Sequence, residues 1–408
     1  MRGATRGAPA LASATSAGQK PKRRLMAVDA ARGLALVFMV AIHVLPSWTQ
    51  NGDPTFIWSA FSGVGATLFA LLAGVTLAFL TGGRRPLRGH AMTSAKAALA
   101  VRAVLIAALG LLLAYVDPPA SIILVYYGAM FLLAIPLLRL SFRALVAVAL
   151  GIAVLGPMLV HLTQNSLPTL DGYDPTLTTL VTDPITFLSV VLFTGSFPVI
   201  PWMAYVCAGM AIGRLDLKAK STAARLFITG AAVAVVVWLS SALLQGPLGG
   251  RDQLFWATPW SAGEIENFLT WGPPPDLPST TWWWLTVLAP YTSTPFEVLH
   301  SLGIATAVLG AMLLLGRWAA RVVQPLAAIG SMTLTLYCAH LLMLATGFLA
   351  DAPWASLIIQ LLAATGFAVA WRHFRGPGPL EHGISVATKT VRDRVGTRLE
   401  ERTPRSRH

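Results

Sequence analysis

The chain has 408 residues, of which 55% are hydrophobic and only 12% charged, with mean hydropathy +0.66. Soluble domains carry roughly 25% charged residues, so this composition excludes an ordinary water-soluble globular protein and points to a polytopic membrane protein. The net charge of +13 raises nucleic acid as a partner, but the basic residues sit in short loops and tails beside apolar runs, which is the positive-inside pattern instead.

Residues 1–24 are rich in Ala, Gly, Ser and basic side chains and read as a disordered cytoplasmic tail. Residues 25–372 hold the membrane domain, and residues 373–408 form a second basic tail. Apolar runs long enough to cross the hydrocarbon core predict ten helices, over 26–46, 58–80, 96–116, 120–138, 143–161, 197–213, 222–244, 296–316, 325–347 and 352–371. The expected fold is all-α, with both termini cytoplasmic. All 30 Lys and Arg except Arg32, Arg102 and Arg251 then fall in the tails, in the loops after helices two, four, six and eight, or in the adjoining helix ends. The opposite loops carry acids instead, among them Asp53, Asp117, Asp174 and Asp276.

The first helix, RLMAVDAARGLALVFMVAIHVLPSW, is the most informative segment. Charged groups inside a span are costly, and they pair, face the protein interior or do chemistry. Arg32 and His43 are eleven positions apart, which leaves them about 20° apart around the helix and ~16 Å apart along it. Asp29, one turn before Arg32, shares that side. A cation and an imidazole thus occupy one stripe at two depths. An intramembrane ion pair between Asp29 and Arg32 is the structural alternative.

Between helices two and three runs TGGRRPLRGHAMTSAKAALAVR, where Arg84, Arg85 and Arg88, with Arg102 about a turn inside helix three, offer a phosphate-binding patch. Ordinary positive-inside charge is the competing reading. Pro136, Pro157, Pro198 and Pro201 should kink the spans they enter. The stretch from Ile185 to Phe193 is too short to span and reads as re-entrant or interfacial. Gly209 and Gly213, in GMAIG, suit close helix packing. Cys207 and Cys338 lie in apolar spans and read as buried free thiols, so neither a disulfide framework nor a metal site is expected. Trp282, Trp283 and Trp284, in the long loop before helix eight, suit an interfacial aromatic belt or a platform for a sugar.

Four histidines fall near the outer face: His43, His161, His300 and His340. Glu297 and His300 share a face at the start of helix eight, where the carboxylate is placed to fix an imidazole tautomer. No Walker loop, dinucleotide fingerprint or nucleophile elbow is present. The two-depth arrangement suggests that a cytoplasmic donor docks its phosphates at the basic mouth and threads a flexible arm beside helix one toward His43. Acyl-coenzyme A has that shape, and His43 would deprotonate an acceptor or take the acyl group itself.

The segment RLMAVDAARGLALVFMVAIH and its continuation FSGVGATLFALLAGVTLAFL resemble the heparan-α-glucosaminide N-acetyltransferase-like family. The spacing of Arg32 and His43 is also similar to that of the acyltransferase-3 family. FPVIPWMAYVCAGMAIGRL, PLAAIGSMTLTLYCAHLLML and GPGPLEHGI resemble YeiB-type membrane proteins of the same broad group. The resemblance implies a membrane acyltransferase that moves an acyl group, usually acetyl, from cytoplasmic acetyl-CoA to a cell-envelope glycan or glycolipid. By position, Arg32 would line the donor path and His43 would be catalytic. Both an acyl-histidine route and direct transfer fit. The composition suits the bacterial plasma membrane, with lipids as the surrounding partner and room for a homo-oligomer. An exporter of a small molecule or lipid, and a non-catalytic envelope-assembly protein, are the rival readings.

Overall fold

The computed structural model describes residues 26–401 apart from 171, 173, 274 and 275. The expected tail 1–24 lies outside the described residues. In chain order the helices of eight residues or more are α1 (Met26–Val44), α2 (Phe56–Leu80), α3 (Gly89–Val116), α4 (Leu124–Arg139), α5 (Phe142–Ser166), α6 (Pro184–Thr194), α7 (Val199–Ile212), α8 (Lys220–Gln245), α9 (Gly250–Ala257), α10 (Ala262–Trp271), α11 (Pro295–Trp318), α12 (Ala320–Gly330), α13 (Thr333–Ala345), α14 (Pro353–Phe374) and α15 (Pro379–Glu401). Among the described residues the only strand-like pairing is one isolated bridge, Trp48 with Pro54.

Among the described residues seven helices are long and apolar enough to cross a membrane, or nine if two bent pairs each count as one span. The expected ten therefore need qualification. The span expected at 120–138 is the shorter apolar helix α4, which ends in a 3₁₀ stretch containing Pro136. The segment expected at 197–213 is the second half of a pair, α6 and α7, bent by 53°. Its break at residues 195–198 carries Gly195 and Pro198, which removes a backbone donor. The stretch from Ile185 to Phe193 is the first half of that pair. The helix expected over 325–347 is also broken, into α12 and α13, with a 68° bend. Such breaks are tolerated at membrane depth where they are buried in protein or line a cavity.

Hydrogen bonds between loops sort the bundle into two ends. At one end Arg214, itself buried, donates to the Gly83 carbonyl at 2.7 Å and the Leu138 carbonyl at 2.6 Å. Arg84 pairs with Asp216 at 3.3 Å, and Arg317 donates to the Lys218 carbonyl. These contacts join the last turns of α4 and α11 to the segments that follow α2 and α7. At the other end Trp58 donates to the Thr270 carbonyl at 2.9 Å, Gln164 to the Leu277 carbonyl at 2.6 Å, and Tyr115 bonds Thr178 at 2.7 Å. The alternation read from charge is thus reproduced as geometry. Ala27, next to the start of α1, touches Gly316, so the described N-terminus lies at the basic end. The tail from residue 379 is a helix there, packed along α3.

Close approaches set the helix order. A methyl at Gly209 would overlap the Leu71 carbonyl, so α7 rides directly on α2, as the GMAIG spacing suggests. Likewise α1 and α12 cross where Gly33 meets the Leu326 carbonyl and Gly330 meets the Asp29 carbonyl. That crossing holds the inner half of α1 and aims α13 back along its outer half. The long segment before α11 folds into a cap with its own apolar core. Trp284 is fully buried there, edge-to-face with Trp260 and Phe268 at 5.6 and 5.3 Å. Trp284 is therefore a core anchor rather than a belt residue, while Trp282 stays half exposed against His161. Cys207 and Cys338 are buried free thiols.

Candidate active site

A cavity of about 520 Å³ opens beneath the cap, within the size range of small-molecule sites. His43 lines it from α1, Gly195 and Ser196 from the break between α6 and α7, Tyr337 from α13, and Tyr291 and Ser293 from the cap. Tyr291 and Ser293 have φ of 60° and 51°, a conformation that non-glycine residues adopt only when the surroundings enforce it, and one that clusters at functional sites. Trp202 donates its indole N–H to the Ser293 hydroxyl at 3.2 Å and fixes that turn.

His43 is one end of a hydrogen-bonded line. Its Nδ1 lies 3.1 Å from Nε2 of His340, with the two rings within 4° of parallel. Nδ1 of His340 lies 2.7 Å from Oε1 of Gln360, and the Gln360 amide donates to Ser356 at 3.0 Å. An amide oxygen only accepts, so with Gln360 oriented this way His340 carries its proton on Nδ1. Neutral His340 then accepts at Nε2, which places the His43 proton on Nδ1. Among the described residues no hydrogen bond reaches His43 Nε2, on a side chain that borders the cavity. The tautomer assignment follows from the network, and the result is a neutral imidazole with its proton on Nδ1 and a lone pair on Nε2.

The helix that carries His340 is itself held at its origin. Glu381 accepts from the Leu334 and Thr335 amides at 2.7 and 3.2 Å and from the Thr335 hydroxyl at 2.6 Å. These amides are the unsatisfied donors of a helix start. The GPGPLEHGI motif thus caps the broken helix that delivers His340.

Deeper in α1, Arg32 donates to Asp29 at 3.0 Å and to the Thr76 hydroxyl. Asp29 is buried, and the Arg32 side chain is 20% accessible. The guanidinium and the imidazole of α1 therefore both turn inward. Arg32 does not line the cavity, whose deeper wall includes Met39, Ala66 and Tyr337.

The other expected site residues are placed as follows. Glu297 is buried and accepts from Ser301 at 2.8 Å, and no hydrogen bond joins it to His300 among the described residues. His300 borders neither this cavity nor the smaller one at the basic end. Arg84, Arg85 and Arg88 are exposed on the loop after α2. Arg102 lines the smaller cavity, which none of those three borders. His340 is one of the four outer histidines singled out in the sequence, without a role assigned to it; Gln360, Tyr291 and Tyr337 are the site residues that the motif reading passed over. The polar pair His340 and Gln360 inside apolar helices was the available signal.

Residues 24–245, more than half of the 408, match the family model described as heparan-alpha-glucosaminide N-acetyltransferase, catalytic. The match takes in Asp29, Arg32, His43 and the broken pair α6 and α7, while His340 and Gln360 lie beyond it. No curated protein matches the chain. With the His43 imidazole bordering the cavity and this match over the segment that supplies it, the chain belongs to the heparan-α-glucosaminide N-acetyltransferase catalytic family of multi-pass membrane acetyltransferases.

Proposed function

We propose that this protein transfers an acyl group, acetyl in the simplest case, from acyl-CoA at the basic end to a hydroxyl or amine of an envelope glycan or glycolipid held beneath the cap. The basic end and both termini face the cytoplasm of a bacterial plasma membrane, following the charge asymmetry. Arg84, Arg85 and Arg88 meet the donor phosphates, and the Asp29–Arg32 pair stands along the path of the thioester arm. The observation that carries the reading is His43, which borders the cavity and has Nδ1 tied to His340.

In the step proposed, His43 Nε2 takes the proton of the acceptor O–H or N–H as that oxygen or nitrogen attacks the thioester carbonyl. The C–S bond breaks, and the imidazolium returns the proton to the departing thiolate. Because Arg32 does not border the cavity, the wall at Met39, Ala66 and Tyr337 has to open for the arm to pass. The two bent helix pairs favour a second reading, a transporter with its site at the breaks, which predicts substrate movement without thioester cleavage.

Purified protein with radiolabelled acetyl-CoA and a glucosamine-terminated acceptor tests the proposal. Wild type should release CoA and label the acceptor, while His43→Ala should keep its fold and CoA binding but lose turnover. Label that stays on the wild-type protein and disappears in His43→Ala would instead mark an acyl-histidine. Unchanged turnover in His43→Ala would overturn the assignment of the base.

A further inference from the structure

Tyr337 borders the cavity from α13, and its side chain is buried. Its hydroxyl oxygen accepts the Ile123 amide at 3.3 Å, and Ile123 borders the same cavity. Among the described residues no group accepts the hydroxyl hydrogen. A buried O–H with its hydrogen unspent is costly unless something supplies an acceptor. An N–H donating into the oxygen also polarises the O–H and strengthens it as a donor. The segment that carries this amide is pinned from three directions. The Ser121 hydroxyl bonds Ser196 at 2.9 Å in the break between α6 and α7, the Ile122 amide bonds both oxygens of Asp174 at 2.9 Å, and the Ile123 amide meets Tyr337. Donors fixed in place before charge develops are what electrostatic catalysis requires. Tyr337 precedes His340 by three residues, so both fall on one face of α13, about 4.5 Å apart along its axis. His340 in turn lies 3.1 Å from His43. The first turn of α13 is capped by Glu381 of α15, so Tyr337 lies on the basic side of the two imidazoles.

We infer that the Tyr337 hydroxyl is the donor that meets the carbonyl oxygen of the thioester, a catalytic role that rests on the acyl-transfer reading above. As the acceptor oxygen or nitrogen gives its proton to His43 and bonds to the carbonyl carbon, the C=O π pair moves onto oxygen. Tyr337 hydrogen-bonds that oxyanion and keeps its own proton. Collapse restores the C=O bond, the C–S bond breaks, and the thiolate takes the proton from the imidazolium. An arm arriving from the basic end passes Tyr337 before it reaches His43, which suits a donor to the carbonyl on one side and a base for the acceptor on the other. Tyr337 lies outside residues 24–245, so this donor comes from a segment beyond the family match.

The test compares full-length wild type with Tyr337→Phe in nanodiscs by two measurements. In turnover with acetyl-CoA, Tyr337→Phe should lose about a hundredfold in kcat, the usual cost of one oxyanion donor, with KM little changed. In binding, two ketone analogues of the donor are titrated without acceptor. Acetonyl-CoA stays trigonal, whereas the carbonyl of trifluoroacetonyl-CoA hydrates to a tetrahedral centre. Wild type should bind the second at least about tenfold more tightly, and Tyr337→Phe should bring the two affinities together. If the hydroxyl only holds Ile123 in place, Tyr337→Phe weakens both analogues alike and keeps their ratio, which overturns the proposal. Full turnover in Tyr337→Phe overturns it as well. The binding ratio needs neither acceptor nor base, so it supports Tyr337 even where His43→Ala keeps its turnover and the base assignment fails. Wild type that binds neither analogue refutes the acyl-CoA reading, and this donor with it.

Discussion

If the His43–His340–Gln360 line sets the base, its middle member should be replaceable only by another acceptor. His340→Leu removes the group that takes the His43 Nδ1–H at 3.1 Å. A buried hydrogen bond contributes about 0.5–1.5 kcal/mol net, and leaving a buried donor unpaired costs about 1–3 kcal/mol. A bias of about 1–2 kcal/mol toward the reactive tautomer corresponds to roughly a five- to thirtyfold loss in turnover. The loss should fall on kcat, with KM for acetyl-CoA little changed, because the donor phosphates are proposed to bind at the opposite end. His340→Gln offers a carbonyl oxygen in place of Nε2 and should recover most of the loss. Gln360→Leu should lie between the two, since His340 then keeps its place but chooses its tautomer freely. The assay is release of CoA thiol from acetyl-CoA by protein in nanodiscs. Equal impairment in His340→Gln and His340→Leu, or full activity in His340→Leu, would refute the tautomer argument.

Two further outcomes follow from the scaffold. Asp174, in the loop after α5, accepts the Ile122 amide with both oxygens at 2.9 Å, and burial, aided by nearby Asp117, pushes its carboxyl up to about 6. A carboxyl whose folded pKa exceeds the unfolded value of about 3.9 adds stability that is complete below that value and is lost as pH rises through 6, a change of about 2–3 kcal/mol. Melting temperatures of wild type should therefore fall from pH 4 to pH 7 relative to Asp174→Asn; parallel curves for the two proteins would dismiss this. Gly209→Ala would push a methyl into the Leu71 carbonyl and should destabilise by about 1–3 kcal/mol or more. Gly151→Ala, on the open face of α5 with nothing within 4 Å, should be neutral or stabilising by up to about 1 kcal/mol. A thermal melt that ranks the two variants alike would count against the packing account.

Hydropathy and charge specify the helices, their alternation between two ends and the polar stripe of α1, because each depends only on residues a few turns apart. Asp29 and Arg32 pair as their spacing of three dictates. The breaks were only partly legible. Pro198 announced a kink in its segment, whereas the bend between α12 and α13 carries no proline at the break and comes with the packing of Gly330 on α1 and the capping of α13 by Glu381. The site itself depended on folding. His340 is 297 positions from His43, and periodicity within one helix says nothing about which face of another helix it meets. Glu297 and His300 share a helix face, yet the carboxylate spends its hydrogen bond on Ser301. The amino-acid sequence alone thus determined an all-helical membrane protein with an inward charge ladder on its first helix. Only tertiary packing decided which imidazole partners His43, what roofs the cavity and where the C-terminal helix lies, because those contacts form between segments whose relative placement no local pattern records.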